Sequence, residues 1–386
     1  MPSYFEFFCG GGMVRAALSK SWTCALANDF DPKKGKSYSD NWGDDALVVA
    51  DINNVSVSEL SSRNLGNAVD LAWASFPCQD LSLAGGGAGL RGKRSGTFWP
   101  FHERMAELGK SGRAPTIVAL ENVCGALSSH EGKDFAAIAR SFSKLGYRIG
   151  ALVIDAAHFL PQSRPRLFFV CIKADHPIPD KILTDGPIQP WHPMSLRKAH
   201  ARLARSERDA WIWWNLPKPR PRRANLQDII EERTNDVVWH SREETDQLLA
   251  MMTEGNLAKV ARAKAQGGAV VGTLFRRTRH EVGVGKVQRV EVRFDGKAGC
   301  LRTPAGGSSR QIVISLDGSS IRTRLMRPRE CARLMGLPDT YRLPENSNEA
   351  LHLTGDGVAV PAVRYIASHI FEPLLAERRS RLGLAA

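Results

Sequence analysis

Tyr4-Phe5-Glu6-Phe7-Phe8-Cys9-Gly10-Gly11-Gly12, with a helical pattern from about Val14 to Lys20 behind it, is the stretch that decides the fold. An apolar run that breaks into glycines and resumes as a helix reads as the first half of a βαβ unit. Glycines at such a turn let the backbone come close to a ligand and leave helix N–H groups facing it. Many α/β proteins share that turn, so alone it names no ligand. Further along, Thr23–Asn28, Val69–Ala74, Thr116–Leu120, Ile149–Ile154 and Arg166–Ile172 read as buried strands. Between the last strands, Phe135, Ile138, Phe142 and Leu145 fall on one helical face, an ordinary core stripe. The first 175 residues are therefore expected to form an α/β sheet domain.

The texture changes near Asp175. Tryptophan and proline become frequent (Trp191, Trp211, Trp213, Trp214), and Pro217-Lys218-Pro219-Arg220-Pro221-Arg222-Arg223 reads as an exposed basic connector. From Gly272 to Ile314 strand-like alternation (Val287, Val290, Val292, Phe294) is mixed with arginine and glycine, which predicts a small β-rich module with a basic surface. Compact patterning returns near Arg322. Val363, Ile366, Ala367 and Ile370 mark an amphipathic helix that Pro373 should disturb. The expected division is 1–175 with 321–386 as one domain and 176–320 as a second, inserted one.

Composition narrows the partners. The 386 residues carry 53 Lys plus Arg against 40 Asp plus Glu, a net charge of +13, which favours a polyanion through counterion release. The seven cysteines are scattered and contain no CxxC pair, which argues against a disulfide framework or a structural metal site. No apolar run approaches the roughly 20 residues of a membrane helix, and the first residues lack a signal-type pattern. A soluble protein in a reducing cytoplasm, beside the nucleoid, is the expectation.

Chemistry-bearing residues fall at the ends of the expected strands. The second strand runs into Asn28-Asp29-Phe30-Asp31, where a carboxylate can accept from ribose hydroxyls and Phe30 can stack on adenine. Asp51 ends the next apolar run and could accept from an adenine amino group. Together with the glycine turn, these positions point to an adenosine site. Ala74-Ser75-Phe76-Pro77-Cys78-Gln79 puts a cysteine just past a buried strand, before the polar, glycine-rich loop Asp80–Thr97. Glu121-Asn122-Val123 ends another strand, and Gln162-Ser163-Arg164-Pro165-Arg166 opens one with two guanidinium groups. A thiol, a carboxyl in a dry pocket and an arginine are what methylation of cytosine at carbon 5 needs. Carbon 5 becomes nucleophilic only after a thiolate adds to carbon 6, and the charge that develops at N3 must be held. The base must also leave the helical stack.

In this order FxGxG (8–12), PCQ (77–79), ENV (121–123) and QxRxR (162–166) resemble the motifs of DNA cytosine-5 methyltransferases of bacterial or phage type. Pro328–Pro338 is similar to that family's structural motif near the C-terminus, and Gly355–Pro361 to its last motif. The resemblance spans nearly the whole chain except the middle. It implies a Rossmann-like, S-adenosylmethionine-dependent sheet domain with a smaller, β-rich target recognition domain inserted at about 176–320. It implies Cys78 as nucleophile, Glu121 as the N3 partner, Arg164 as the base- and phosphate-orienting residue with Arg166 assisting, and Asn122 as a support for the catalytic loop. Cofactor contacts fall to Phe8, Gly10, Gly12, Asp29, Phe30 and Asp51, and DNA contacts to Ser82 and Arg94. In the inserted stretch Arg276, Arg277, Arg279, Arg310 and Gln311 are of types that meet base edges or phosphates. No metal is implied. Double-stranded DNA is the partner, the protein is a monomer, and a cognate restriction endonuclease could act on the same site without forming a complex. Glu6 stands where Asp is frequent, Met13 replaces a glycine, Asp29-Phe30 replaces Glu-Trp, Arg327 takes the place of a small hydroxyl residue and Asp356 that of Asn. Two other readings remain: a tRNA methyltransferase, and a DNA-binding protein with a vestigial site. A nicotinamide oxidoreductase would share the glycine turn but leave the other motifs unexplained.

Overall fold

The computed structural model describes residues 1–64, 66–81, 88–231, 237–281, 283, 285–304 and 310–381. The chain divides into two compact units: Met1–Asp155, Pro165–Pro219 and Val360–Ala386 form the first, and Ala156–Arg164 with Arg220–Ala359 the second. This differs from a division at 175 and 321. The tryptophan-rich stretch is part of the first unit's core, since Trp191 and Trp214 are fully buried and Trp191 Nε1 donates to Leu216 O at 2.8 Å.

The first unit is built on an eight-stranded sheet. Its strands are β1 (Ser3–Phe7), β2 (Thr23–Asp29), β3 (Leu47–Val49), β4 (Leu71–Ala74), β5 (Ile117–Val123), β6 (Tyr147–Asp155), β7 (Pro165–Lys173) and the short β8 (Trp211–Ile212). Their order is β3-β2-β1-β4-β5-β7-β6-β8, with β7 antiparallel to both neighbours. The central strands are apolar on both faces: β4 is buried throughout and β5 through Asn122, as a sheet covered by helices on both sides requires. The helix Lys133–Lys144 places Phe135, Ile138, Ala139 and Phe142 in that core, the stripe expected from its spacing.

The last segment of this unit packs back on its beginning. Helix Val360–Ile366 lies against helix Met13–Leu18, and Phe371 meets the rings of Trp22 and Trp73 edge-on. The disturbance expected at Pro373 falls just before it. Proline cannot donate to the carbonyl four residues back and its ring crowds that carbonyl, and Ala367–Phe371 takes a π-type turn that lets the helix resume at Glu372.

The second unit has a four-stranded antiparallel sheet, β9 (Ala269–Glu281), β10 (Gly285–Arg293), β11 (Ile312–Asp317) and β12 (Ser320–Leu325), in the order β10-β9-β11-β12. Helices Arg242–Ala250 and Glu254–Ala265 cover one face, with Leu248, Val260, Leu274, Val290, Val292, Ile312 and Ile314 as the core. A β-rich reading of this stretch overlooks those helices, although Ser241 and Glu244 form a reciprocal capping box that marks the first.

Candidate functional site

In a parallel sheet with this order the connections reverse direction between β1 and β4, and ligands bind outside the carboxyl ends of the strands at that switch point. The candidate residues converge there by register. Phe7 pairs with Ala74, Ala74 with Leu120, and Asp29 with Val49, so the strand ends carrying Phe8, Asp29, Cys78 and Glu121 lie level along one edge. Because β7 runs the other way, its first residues reach the same edge, with Arg166 opposite Val123.

The glycine turn is held from beneath. Phe8, Gly10 and Gly12 all have left-handed φ (57°, 54° and 76°), unusual for a phenylalanine. A Cβ on Gly12 would lie 2.5 Å from Trp42 Nε1, and that indole donates to Gly11 O at 3.0 Å. A Cβ on Gly10 would meet nothing within 4 Å, so the backbone there borders open space. Arg15 stacks between the Tyr38 and Trp42 rings and donates to the Tyr38 hydroxyl. Beneath the turn sits Glu6, 2% exposed, accepting from the backbone N–H groups of Val14 and Arg15. Burial pushes its carboxyl up from 4.5 to about 8.

Asp29 is buried and accepts from the N–H groups of Gly10 (2.8 Å) and Asp31 (3.0 Å), which ties the β2 end to the glycine turn. Burial raises its pKa, opposed by Lys34 and those two donors. Phe30 next to it is 67% exposed, a large ring left in water. Asp51 caps the turn Ile52–Asn54 through Asn53 N at 2.8 Å. An open glycine backbone, an anchored carboxylate, an uncovered ring and an exposed acid in successive turns fit a nucleoside-bearing cofactor.

Cys78 follows the buried Phe76 in the loop after β4 and is half-buried. Asn122 fixes that loop by donating Nδ2 to Phe76 O at 3.1 Å, while its Oδ1 accepts from Val123 N. Asp80 closes the loop's base: its carboxylate accepts from the N–H groups of Arg94 and Ser95, and its carbonyl from Gly89 N. Arg94 is exposed, and Ser82 lies outside the described residues.

Glu121 is buried beside Arg166, with Oε1 3.0 Å from the guanidinium Nε. The sheet explains the pair. Arg166 faces Val123 across the β5–β7 ladder and Glu121 lies two residues back on the same face, a diagonal that a long side chain spans. Arg164 is engaged elsewhere. It is 1% exposed in the second unit and donates to Leu301 O, Gly355 O and Gly357 O, while Gln162 holds Leu334 O and Leu301 N. The two arginines are thus held differently: Arg166 lies on the carboxylate, and Arg164 clamps backbone carbonyls of its own unit. Arg310 donates to Asn348 Oδ1 at 3.3 Å. Gln311 is buried, lining with Arg302 and Cys331 a cavity of about 10 Å³, room for one water. The supports Glu6, Trp42 and Asp80 escaped sequence reasoning, because each acts through a contact distant in sequence.

The sheet thus brings a cysteine, a carboxylate–arginine pair and a glycine turn to one edge. The sequence profile of C-5 cytosine-specific DNA methylases matches residues 3–372, so the chain belongs to that family and is a DNA (cytosine-5) methyltransferase. Type II methyltransferase M.HhaI of Haemophilus parahaemolyticus is 24% identical over 369 residues, covering 95% of this chain and 93% of the relative. M.HpaII of Haemophilus parainfluenzae is 24% identical over 389 residues, covering 96% and 90%. Among solved structures, an Entamoeba histolytica methyltransferase, EhMeth, superposes with a TM-score of 0.62 at 14% identity over 97% of this chain and 99% of its own. The Schizosaccharomyces pombe (S. pombe) Dnmt2 methyltransferase gives 0.58 at 16%, with the same coverage. These likenesses support the fold. Among the described residues no helix is long and apolar enough to cross a membrane.

Proposed function

We propose that the chain transfers a methyl group from S-adenosylmethionine to carbon 5 of a cytosine flipped out of a specific duplex DNA sequence, with Cys78 as the nucleophile. The observation that carries this reading is the set of strand ends at one sheet edge: Cys78 after β4, and the buried Glu121–Arg166 pair across β5 and β7. The Cys78 thiolate adds to carbon 6, and the electron pair released moves toward N3, where Glu121 hydrogen-bonds the base. Carbon 5 is then nucleophilic. Phe8, Gly10, Gly12, Asp29, Phe30 and Asp51 would hold the cofactor, which would supply the electrophilic methyl group. A water molecule takes the carbon-5 proton, the C–H electron pair re-forms the carbon 5–carbon 6 double bond, and the C–S pair leaves on the Cys78 thiolate, which restores the ring. Arg166 orients Glu121 and faces the base, Asn122 fixes the Cys78 loop through Phe76 O, and Arg164 braces the segment leading into β7.

The second unit is the target recognition domain in this reading. Ser82 and Arg94 from the catalytic loop and Arg310 from the second unit contact DNA, while Gln311 is buried. The relatives are named type II methyltransferases. By analogy this protein, acting as a monomer, protects sites that a cognate endonuclease would cut.

The test uses duplex DNA with 5-fluorocytosine at the methylated site, found first by bisulfite sequencing of DNA from expressing cells. Fluorine cannot leave as a proton, so the enzyme should remain bonded to DNA in a denaturing gel, only with S-adenosylmethionine present and never in Cys78→Ala. Turnover of fluorinated DNA by active enzyme without an adduct would overturn the thiolate mechanism. Transfer to tRNA but not to duplex DNA would favour an RNA substrate.

A further inference from the structure

Asp134 sits in the first turn of helix Lys133–Lys144, where a carboxylate ordinarily faces the free N–H groups of its own helix. This one is engaged elsewhere. Its Oδ1 accepts from Leu90 N at 3.3 Å, across 44 positions of chain. Its Oδ2 accepts from Ser129 Oγ at 2.5 Å and from His130 Nδ1 at 2.8 Å. An ionised carboxylate can only accept, so His130 carries its proton on Nδ1. Burial pushes the Asp134 carboxyl up, but the Ser129, His130 and Leu90 donors together hold it below its usual value and keep it charged at neutral pH.

The backbone on both sides is bent to make this contact. His130 and Glu131 take left-handed φ of 45° and 60°, and Gly132 follows at 89°. Residues other than glycine seldom adopt that conformation, and two in succession persist only where surrounding contacts impose them. Here the turn brings His130 back onto Asp134. From the other side, Gly89 has φ 57°, and a Cβ there would lie 2.2 Å from Asp134 Oδ2 and 2.4 Å from His130 Nδ1. The backbone at Gly89 therefore rests directly on the pair, with no room for a side chain between them.

Gly89 and Leu90 send their N–H groups to different acceptors. Gly89 N donates to Asp80 O at 3.1 Å, and Leu90 N to Asp134. Asp80 also takes the N–H groups of Arg94 and Ser95, and just before it the carbonyl of Cys78 accepts from Leu81 N at 3.0 Å. One peptide thus joins the Cys78 segment to the start of helix Lys133–Lys144. The buried side chain of Leu90 could cover the helix end by apolar contact alone. Apolar contact tolerates sliding, whereas a carboxylate shared among three donors sets a position.

We infer that Asp134 is a positioning residue for methyl transfer: with Ser129 and His130 it holds the Gly89–Leu90 turn, and through Asp80 it sets where the Cys78 thiol stands. The inference rests on the role given to Cys78 above and adds the part of the molecule that places it. Asp134 touches neither base nor cofactor, so its loss should slow the chemistry and spare binding.

The test measures single-turnover methylation by the full chain at saturating DNA and S-adenosylmethionine, together with both dissociation constants and the melting temperature. Asp134→Ala should lower the rate constant about 10–100-fold, the scale of a nucleophile misplaced by up to about 1 Å, with both dissociation constants within about 3-fold of the parent. Asp134→Asn keeps an acceptor for Leu90 N, and its amide can donate to Ser129 Oγ, so it should recover most of the rate. A residue that only stabilises the fold would lower the melting temperature and leave the rate constant unchanged. That result, a loss confined to binding, or an Asn variant as slow as the Ala variant would each overturn the inference. Should Asp134→Ala fail to fold, Gly89→Ala, whose Cβ strikes the same pair, must slow transfer at least about 10-fold. Gly112→Ala, with φ 71° and nothing within 4 Å of its Cβ, carries similar backbone strain elsewhere and should stay within about 2-fold of the parent. Equal rates for the two glycine variants would equally overturn it. Transfer by the parent with no effect of these changes sinks only the positioning role, and absence of transfer to DNA by the parent sinks the reading beneath it.

Discussion

Glu6 offers a sharp test of how the cofactor end is built, because a buried acid there should make stability depend on pH in a calculable way. Its carboxyl is 2% exposed, and Oε2 has no hydrogen-bond partner. Burial raises its pKa from 4.5 to about 8, with the Arg15 charge opposing. The folded pKa is the higher one, so the folded protein holds a proton that the unfolded chain releases. The contribution is therefore intact below pH 4.5 and is lost as pH rises through about 8. At about 1.36 kcal/mol per pH unit, the gap between 4.5 and about 8 amounts to roughly 5 kcal/mol. Glu6→Gln keeps the shape and one acceptor but cannot ionise. Urea unfolding followed by tryptophan fluorescence should find the variant's advantage over the parent growing from pH 5 to pH 9 by several kcal/mol, with most of the rise below pH 8. A pH-independent difference, or a variant that loses ground at pH 9, would refute the assignment of a protonated Glu6 beneath the glycine turn.

Three further outcomes follow from the site. Arg166→Met strips the buried Glu121 of its guanidinium and should cost about 3–5 kcal/mol, part of it recovered by adding Glu121→Gln; a urea double-mutant cycle without coupling would dissolve the pair. Asn122→Ala removes the bond to Phe76 O and should cost about 1–3 kcal/mol, with kcat falling more than DNA affinity; unchanged kcat would show that the loop holds itself. Gly12→Ala should unfold at much lower temperature than Gly10→Ala, since its Cβ strikes Trp42 and Tyr38, while Gly10→Ala should chiefly weaken S-adenosylmethionine binding by calorimetry. Equal melting temperatures would contradict that division.

Much of the sheet was legible because a central strand buried on both faces, whichever way it runs, has to be an unbroken apolar run, as in Ile117–Leu120 and Leu167–Ile172. The arginines were not. Arg164 and Arg166 are two apart, and strand alternation would put them on one face, but the strand begins between them at Pro165. Arg164 lies outside the alternation, and its partners near residues 301 and 355 are invisible at a distance of more than 130 positions. The unit boundary was misleading for a different reason. A change in composition near Asp175 looks like a change of domain, yet β8 adds to the first sheet beside β6 and buries Trp214 there. Surface helices such as Arg242–Ala250 carry too few apolar residues to show a stripe, and only the Ser241–Glu244 cap announced the first.

The first unit is assembled from three separate pieces of chain, and this sets the timing of its folding during synthesis. Helix Val360–Ile366, which packs on helix Met13–Leu18, is made some 345 residues after it. At about 5–20 residues per second that is roughly 20–70 s on the ribosome. Throughout that interval the apolar side of Met13, Val14 and Leu18 and the ring of Trp22 await Phe371 and its neighbours. The nascent protein should therefore recruit chaperones at its first helix, and methyl-transfer competence should appear in one step when the final segment arrives rather than accumulating as the strands are made.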